Sequence, residues 1–180
     1  ESIAGEKERG TIATLLVTPV RRSELALGKI FALSIVALLS GLCSALGIIL
    51  SLPKLMGGEE MGVMDATIYG VTDYAWVLGI ILSTTLLFVA AISVISAYAK
   101  SIKEATGLVS PLMIVVMLIS LSGMLSGGGV PPLPMFLIPV YNSAQCIGGI
   151  FGGTYATSQM LLTIASNMIA TGLLVILLTR

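Results

Sequence analysis

Four uncharged apolar runs, 30–52, 76–98, 107–125 and 160–178, take up most of this 180-residue chain beyond its first 29 positions. Roughly 20 helical residues, rising about 1.5 Å each, cross a hydrocarbon core of roughly 30 Å. Each run is therefore long enough to span a bilayer. A spanning segment has no water to bond and must satisfy its own N–H and C=O groups, which an α-helix does locally. Charged residues make up only 10% of the chain, far below the balance of water-soluble domains. The expectation is an all-α integral membrane protein with four transmembrane helices, divided into a polar segment 1–29 and a membrane domain 30–180.

Details of the runs sharpen this reading. Trp76 and Tyr98 stand at the two ends of the second run, where amphipathic rings favour the membrane interface. Pro111 is expected to kink or stagger the third. Ala37, Gly41 and Ala45 are spaced by four in the first, a smooth stripe that lets helices approach closely, within one chain or between two. Asn167 is the one amide side chain of the fourth. Such a group either lines a pathway or bonds neighbouring helices, and the second use is the commoner.

The interval 126–159 carries no charge and could be mistaken for a fifth crossing around 135–151. Pro131, Pro132, Pro134 and Pro139 on one side, and Gly148, Gly149, Gly152 and Gly153 on the other, leave it too broken for an ordinary spanning helix. Irregular backbone at membrane depth needs shielding by protein or a wet cavity. The interval is therefore expected to be a re-entrant or interfacial hairpin that returns to the side it left.

Charge sets the orientation. With four spans, Lys7, Arg9, Arg21, Arg22, Lys29, Lys100, Lys103 and Arg180 share one side, and only Lys54 lies on the other. Lys and Arg in short loops stay inside, so both ends of the chain are expected in the cytoplasm and 126–159 outside. The first external loop holds Glu59, Glu60, Asp65 and Asp73, read as a solvated acidic loop. The chain has no His, which removes the commonest metal ligand and general base. Cys43, in an apolar run, and Cys146, in a distant loop, are at depths that could not be bridged, and both read as packing residues. The chain opens on Glu1, with no basic start leading into a short apolar core, so no signal peptide is visible and an upstream part is expected.

The polar opening holds over half of the Lys and Arg. Ile12, Leu15 and Leu16 recur at helical spacing after Thr11, which can cap a short amphipathic helix, and Pro19 interrupts it. Ser23 can cap the helix that then enters the bilayer. An apolar stripe flanked by Glu6, Glu8, Arg9, Arg21 and Arg22 can seat in a groove of a partner protein while the charges set register. It can equally lie on an anionic leaflet. Gly28-Lys29 is followed by Ile30, so this is no phosphate-binding loop, and ATP chemistry would have to come from elsewhere.

Glu6-Lys7-Glu8-Arg9-Gly10-Thr11, followed by Leu15-Leu16-Val17-Thr18-Pro19 and Gly28-Lys29, resembles the signature of type-2 ABC transporter permeases, in particular their sodium-efflux, NatB-like branch. Lys100-Ser101-Ile102-Lys103-Glu104-Ala105 is similar to the family's link between its fourth and fifth helices. Ile138-Pro139-Val140-Tyr141-Asn142 is similar to the start of its external hairpin. The resemblance implies helices three to six of a permease, preceded by a cytoplasmic coupling helix seated on an ABC ATPase subunit. It places Glu6, Glu8, Arg9, Gly10, Thr11, Ile12, Leu15, Leu16, Pro19, Arg21 and Arg22 at the ATPase interface, with Lys103 and Glu104 in a secondary cytoplasmic loop. It also implies a second permease, identical or homologous, in the plasma membrane, with ATP and Mg held by the partner and no cofactor or metal by this chain. No nucleic-acid partner is implied.

Two other classes compete with this reading. An ATP-independent carrier or scaffold is the alternative, but a carrier usually shows ionisable groups at mid-membrane, and these runs contain no Asp, Glu, Lys or Arg. An intramembrane hydrolase needs an activated Ser with its base or an embedded Asp pair, and both Asp65 and Asp73 fall in the external loop.

Overall fold

The computed structural model describes residues 2–9, 22–56, 70–125, 132–151, 153–154 and 156–179. Among these the chain is entirely helical. A short α1 (Ser2–Glu8) precedes α2 (Arg22–Met56), α3 (Val71–Tyr98) and α4 (Ile102–Leu125). A 3-10 helix (Leu133–Leu137), α5 (Tyr141–Phe151) and α6 (Thr157–Thr179) complete it. Among the described residues, four helices, α2, α3, α4 and α6, are long and apolar enough to cross a membrane.

The third helix is the hub. It packs along α6 and α2, and meets α5, α4 and α1 over shorter stretches. Gly79 makes the α3–α6 approach close: a Cβ there would come within 3.3 Å of Ile164 Cδ1. Gly41 does the same between α2 and α3, where a Cβ would lie 3.3 Å from Thr85 Oγ1. Ala45, one turn on, is buried, while Ala37 is half-buried. The main apolar core joins Val77 and Ile80 of α3, Phe136 of the 3-10 helix, Cys146 and Ile150 of α5, and Met160 of α6.

Outside that core the bundle turns its apolar residues outward. Met113, Ile114, Met117 and Leu118 of α4, Phe31 and Val36 of α2, and Ile169 and Leu173 of α6 are all exposed. Continuous apolar faces of this extent would drive aggregation in water and are ordinary against lipid.

Of the aromatic residues at the two ends of the second run, Trp76 packs against the core and Tyr98 is exposed. Helix α4 runs through Pro111, which has no N–H to give to the carbonyl of Gly107 one turn earlier. Asp73 belongs to the first turn of α3, not to a solvated loop: its carboxylate accepts the Gly70 N–H at 2.9 Å, closing a free donor at the helix start. Cys146 is not in a loop but inside α5 and buried, and Cys43 is exposed on α2, so it is no packing residue within the chain.

The segment 132–151 is no single helix. The 3-10 helix ends at Leu137, a turn follows, and α5 has 11 residues, about 16 Å, half of what a crossing needs. Helix α5 lies antiparallel to α6. Ser143 meets Asn167, Cys146 meets Thr163 and Gln159, and the two helices join through Gly153, whose φ of 66° suits a residue without Cβ. Thr84 lies midway along α3 and Asn167 about 15 Å along α6, so α5 begins deep in the bundle and climbs back out.

Candidate functional site

Two polar constructions stand out against this apolar background, one at the end of the bundle that carries α1 and one in its middle.

At the α1 end, the short helix is tied to three others. Ala4 is fully buried with Ala99 and Ala105, and its N–H donates to Ser96 Oγ at 3.1 Å. Gly5 lies beside Ile102, where an added Cβ would make an ordinary contact with Cδ1 at 3.4 Å. Glu8 accepts the backbone N–H of Ile102 at 2.9 Å, so a carboxylate from α1 closes one of the free donors at the start of α4. Glu104 accepts the Lys100 N–H at 2.8 Å, and Ser101 Oγ accepts the Glu104 N–H at 3.2 Å. Glu6 forms an ion pair with Lys29 at the base of α2, and both side chains are partly covered.

The structure thus turns Glu6 and Glu8 toward the chain itself. Sequence patterning grouped both with partner-facing charges, because the helix Ser2–Glu8 has no apolar stripe to betray its docking; Ala4 seats by being small and fully buried. Arg9 and Lys103 are exposed. Gly10, Thr11, Ile12, Leu15, Leu16, Pro19 and Arg21, and the side chain of Arg22, lie outside the described residues.

The central construction is a closed network. Asn167 is fully buried, and its Nδ2 reaches Ser143 Oγ at 3.0 Å, Thr84 Oγ1 at 3.2 Å and Ser83 Oγ at 3.4 Å. Its Oδ1 accepts from Asn142 Nδ2 at 3.4 Å. Asn142, also fully buried, gives its other Nδ2 proton to Phe136 O at 3.1 Å and accepts the Ser143 N–H at 2.6 Å. Thr84 and Ser83 return their hydroxyl protons to Ile80 O, at 2.7 and 2.9 Å. Nearby, Cys146 Sγ lies 3.1 Å from Thr163 Oγ1, and burial pushes its thiol pKa up more than the Thr163 contact lowers it.

Among the described residues no buried side-chain nitrogen or oxygen lacks a partner. That decides the chemistry of the cluster as it stands. An unmade bond in a dry interior costs about 1–3 kcal/mol, and none is left open here for a ligand. The amides bond helix to helix, and they carry no charge. Sequence reasoning singled out Asn167, gave Asn142 only as part of a family motif and missed Ser143, because the break of 126–159 hid the fact that α5 begins at the depth of Asn167.

One turn before this network, Val140 has φ 73°. For a β-branched residue the left-handed region costs about 1–2 kcal/mol, and it persists only when surrounding contacts hold it.

The fold and its two polar constructions define a multi-pass helical membrane protein, with its apolar faces outward and its uncharged polar groups paired inside. A family model described as "ABC-2 family transporter protein" matches residues 1–179, and the chain belongs to that family. The "ABC transporter permease protein NatB" of Bacillus subtilis (strain 168) is 34% identical over 113 residues, which is 60% of this chain and 28% of that relative. No solved structure matches.

Proposed function

We propose that this chain is a membrane-spanning permease segment of an ATP-driven exporter, coupling ATP hydrolysis by a separate ABC ATPase subunit to efflux. The family match from residue 1 to 179 carries the reading, because it includes the polar opening as well as the four apolar helices. ATP and Mg belong to the partner. This chain performs no catalysis, and a second permease, identical or homologous, completes the path. The protein sits in the plasma membrane with both ends of this segment in the cytoplasm, as the distribution of Lys and Arg favours.

In this reading the coupling helix begins near Thr11 and presents Ile12, Leu15 and Leu16 to a groove of the ATPase. Arg9, Arg21 and Arg22 set its register, while Pro19 passes its motion to α2. Glu6 and Glu8 hold the α1 end of the same segment to Lys29 and to the start of α4, so a push on it reaches two spans together. The segment 126–159 is a re-entrant or interfacial hairpin on the external side. Uncharged spans suit sodium or a hydrophobic, drug-like compound as cargo, and sodium is favoured by the resemblance to the NatB-like branch.

The test is a Leu15→Asp, Leu16→Asp double change in the full-length permease co-expressed with its ATPase. Loss of ATPase co-purification and of transport, with the permease still in the membrane, is expected. Intact co-purification and transport would overturn the docking assignment. Stimulation of ATPase activity by sodium, measured against a panel of apolar compounds in proteoliposomes, tests the cargo.

A further inference from the structure

We propose that the link between α3 and α4, together with the end of α1, is a headgroup site for a zwitterionic phospholipid bearing a primary amine, of which phosphatidylethanolamine is the simplest. Lys100 and Lys103 take its phosphate, and the carboxylates of Glu8 and Glu104 take its ammonium.

The level of these residues is the first support. One apolar span ends at Tyr98 and the next begins at Ile102, so the link lies where hydrocarbon gives way to headgroups. Tyr98 is 69% exposed there, as suits an amphipathic ring at the interface. Glu8, Lys100, Lys103 and Glu104 are exposed as well.

The second is that charges of both signs stand together without being spent on each other. Glu104 follows Lys103 directly, yet its Oε2 accepts the backbone N–H of Lys100 at 2.8 Å. Glu8 Oε2 accepts the backbone N–H of Ile102 at 2.9 Å. These two donors are two residues apart in the chain, so they lie within about 7 Å of each other. An ionised carboxylate has room for several donors, and each of these caps engages one oxygen. Glu6, by contrast, is paired with Lys29, whereas among the described residues neither Lys100 nor Lys103 forms a salt bridge. Two ammonium groups and two carboxylates are thus offered side by side to whatever covers the link.

The third is the chemistry that such a mixture selects. Phosphate oxygens accept charge-assisted bonds from lysine, and a primary ammonium brings three N–H donors to a carboxylate. The trimethylated ammonium of phosphatidylcholine has no N–H to give. Phosphatidylglycerol has the phosphate but no cation, and would bring its net negative charge up to Glu8 and Glu104. A purely basic patch would make the opposite choice and favour the anionic lipid.

The full-length permease, purified in detergent, is mixed with phosphatidylethanolamine, phosphatidylcholine or phosphatidylglycerol of matched acyl chains, and retained lipid is counted by native mass spectrometry. The wild-type protein should retain phosphatidylethanolamine about three- to tenfold better than phosphatidylcholine. The double variant Glu8→Gln, Glu104→Gln keeps an oxygen for each backbone N–H and should bring that ratio close to one. Lys100→Gln, Lys103→Gln should lower retention of both lipids, because the phosphate is common to them. Equal retention of the two lipids by the wild-type protein overturns the site, and so does a preference for phosphatidylglycerol. An unchanged ratio in the glutamate variant overturns it too. If the lysine variant loses its ABC ATPase on co-purification while its lipid profile stays that of the wild type, this face meets protein and the proposal falls. The wild-type comparison stands even where a variant folds poorly. It needs neither ATP nor cargo, so its failure is separate from failure of the exporter reading.

Discussion

The carboxylate of Glu8 caps the backbone N–H of Ile102, 94 positions later in the chain, at 2.9 Å. A helix of seven residues would not hold its shape alone in water, since isolated helices below about 12–15 residues are marginal. This one is held by burial of Ala4, by the Ala4–Ser96 bond and by that carboxylate. Replacing Glu8 by Ala should therefore loosen both α1 and the first turn of α4. A cap of this type contributes about 0.5–2 kcal/mol, and the check is a lower midpoint of thermal unfolding in detergent, with most of the loss recovered by Glu8→Asp only if the shorter side chain still reaches.

The Glu6–Lys29 pair joins α1 to α2 with both side chains partly covered. Partly solvated pairs contribute about 0.2–1 kcal/mol. Lys29→Met should thus cost little stability by itself, and the exchanged double variant Glu6→Lys, Lys29→Glu should be more stable than either single exchange. A double-mutant cycle by thermal unfolding measures the coupling, and no coupling at low salt would count against the contact.

Substituting Gly79 probes the close approach of α3 and α6. The atom that an added Cβ would meet is the end of the Ile164 side chain, which can turn away. Gly79→Ala should therefore be tolerated, whereas Gly79→Leu should separate α3 from α6 and cost about 1–3 kcal/mol, as overpacking does. Ile164→Ala combined with Gly79→Leu should regain part of the loss, as read by monodispersity after heating.

Thr163→Cys would place a second sulfur beside Cys146, whose Sγ already lies 3.1 Å from Thr163 Oγ1. Disulfides form readily only where the Cβ atoms are about 3.5–4.5 Å apart, which this pairing favours. Mild oxidation should cross-link α5 to α6 and abolish maleimide labelling at position 146, and a reducing agent should restore it. Absence of the cross-link under oxidant would contradict the α5–α6 register.

The pH dependence of labelling follows from burial. The Cys146 thiol is raised above its ordinary value of 9.0, so it stays protonated where an exposed thiol is already ionising. Its modification rate should keep climbing with pH beyond 9.0, while that of a reference peptide thiol levels off. A profile matching the reference peptide would show that the thiol is not buried.

Much of this protein was legible because lipid imposes so simple a rule on backbone polar groups. Four uncharged runs of sufficient length determined four helices, the prolines and glycines of 126–159 argued against a fifth, and Glu6 to Pro19 pointed to the family. None of that needed a contact between distant residues. Tertiary structure alone decided that Glu6 and Glu8 pair with Lys29 and Ile102, that α5 descends to the level of Thr84, and that Asn142, Ser143 and Asn167 close on one another. Hydropathy records how much of a segment avoids water but not which face meets which neighbour. Hydrogen bonds between helices are directional and span dozens of residues, so they exist only once the bundle has brought their partners within about 3 Å.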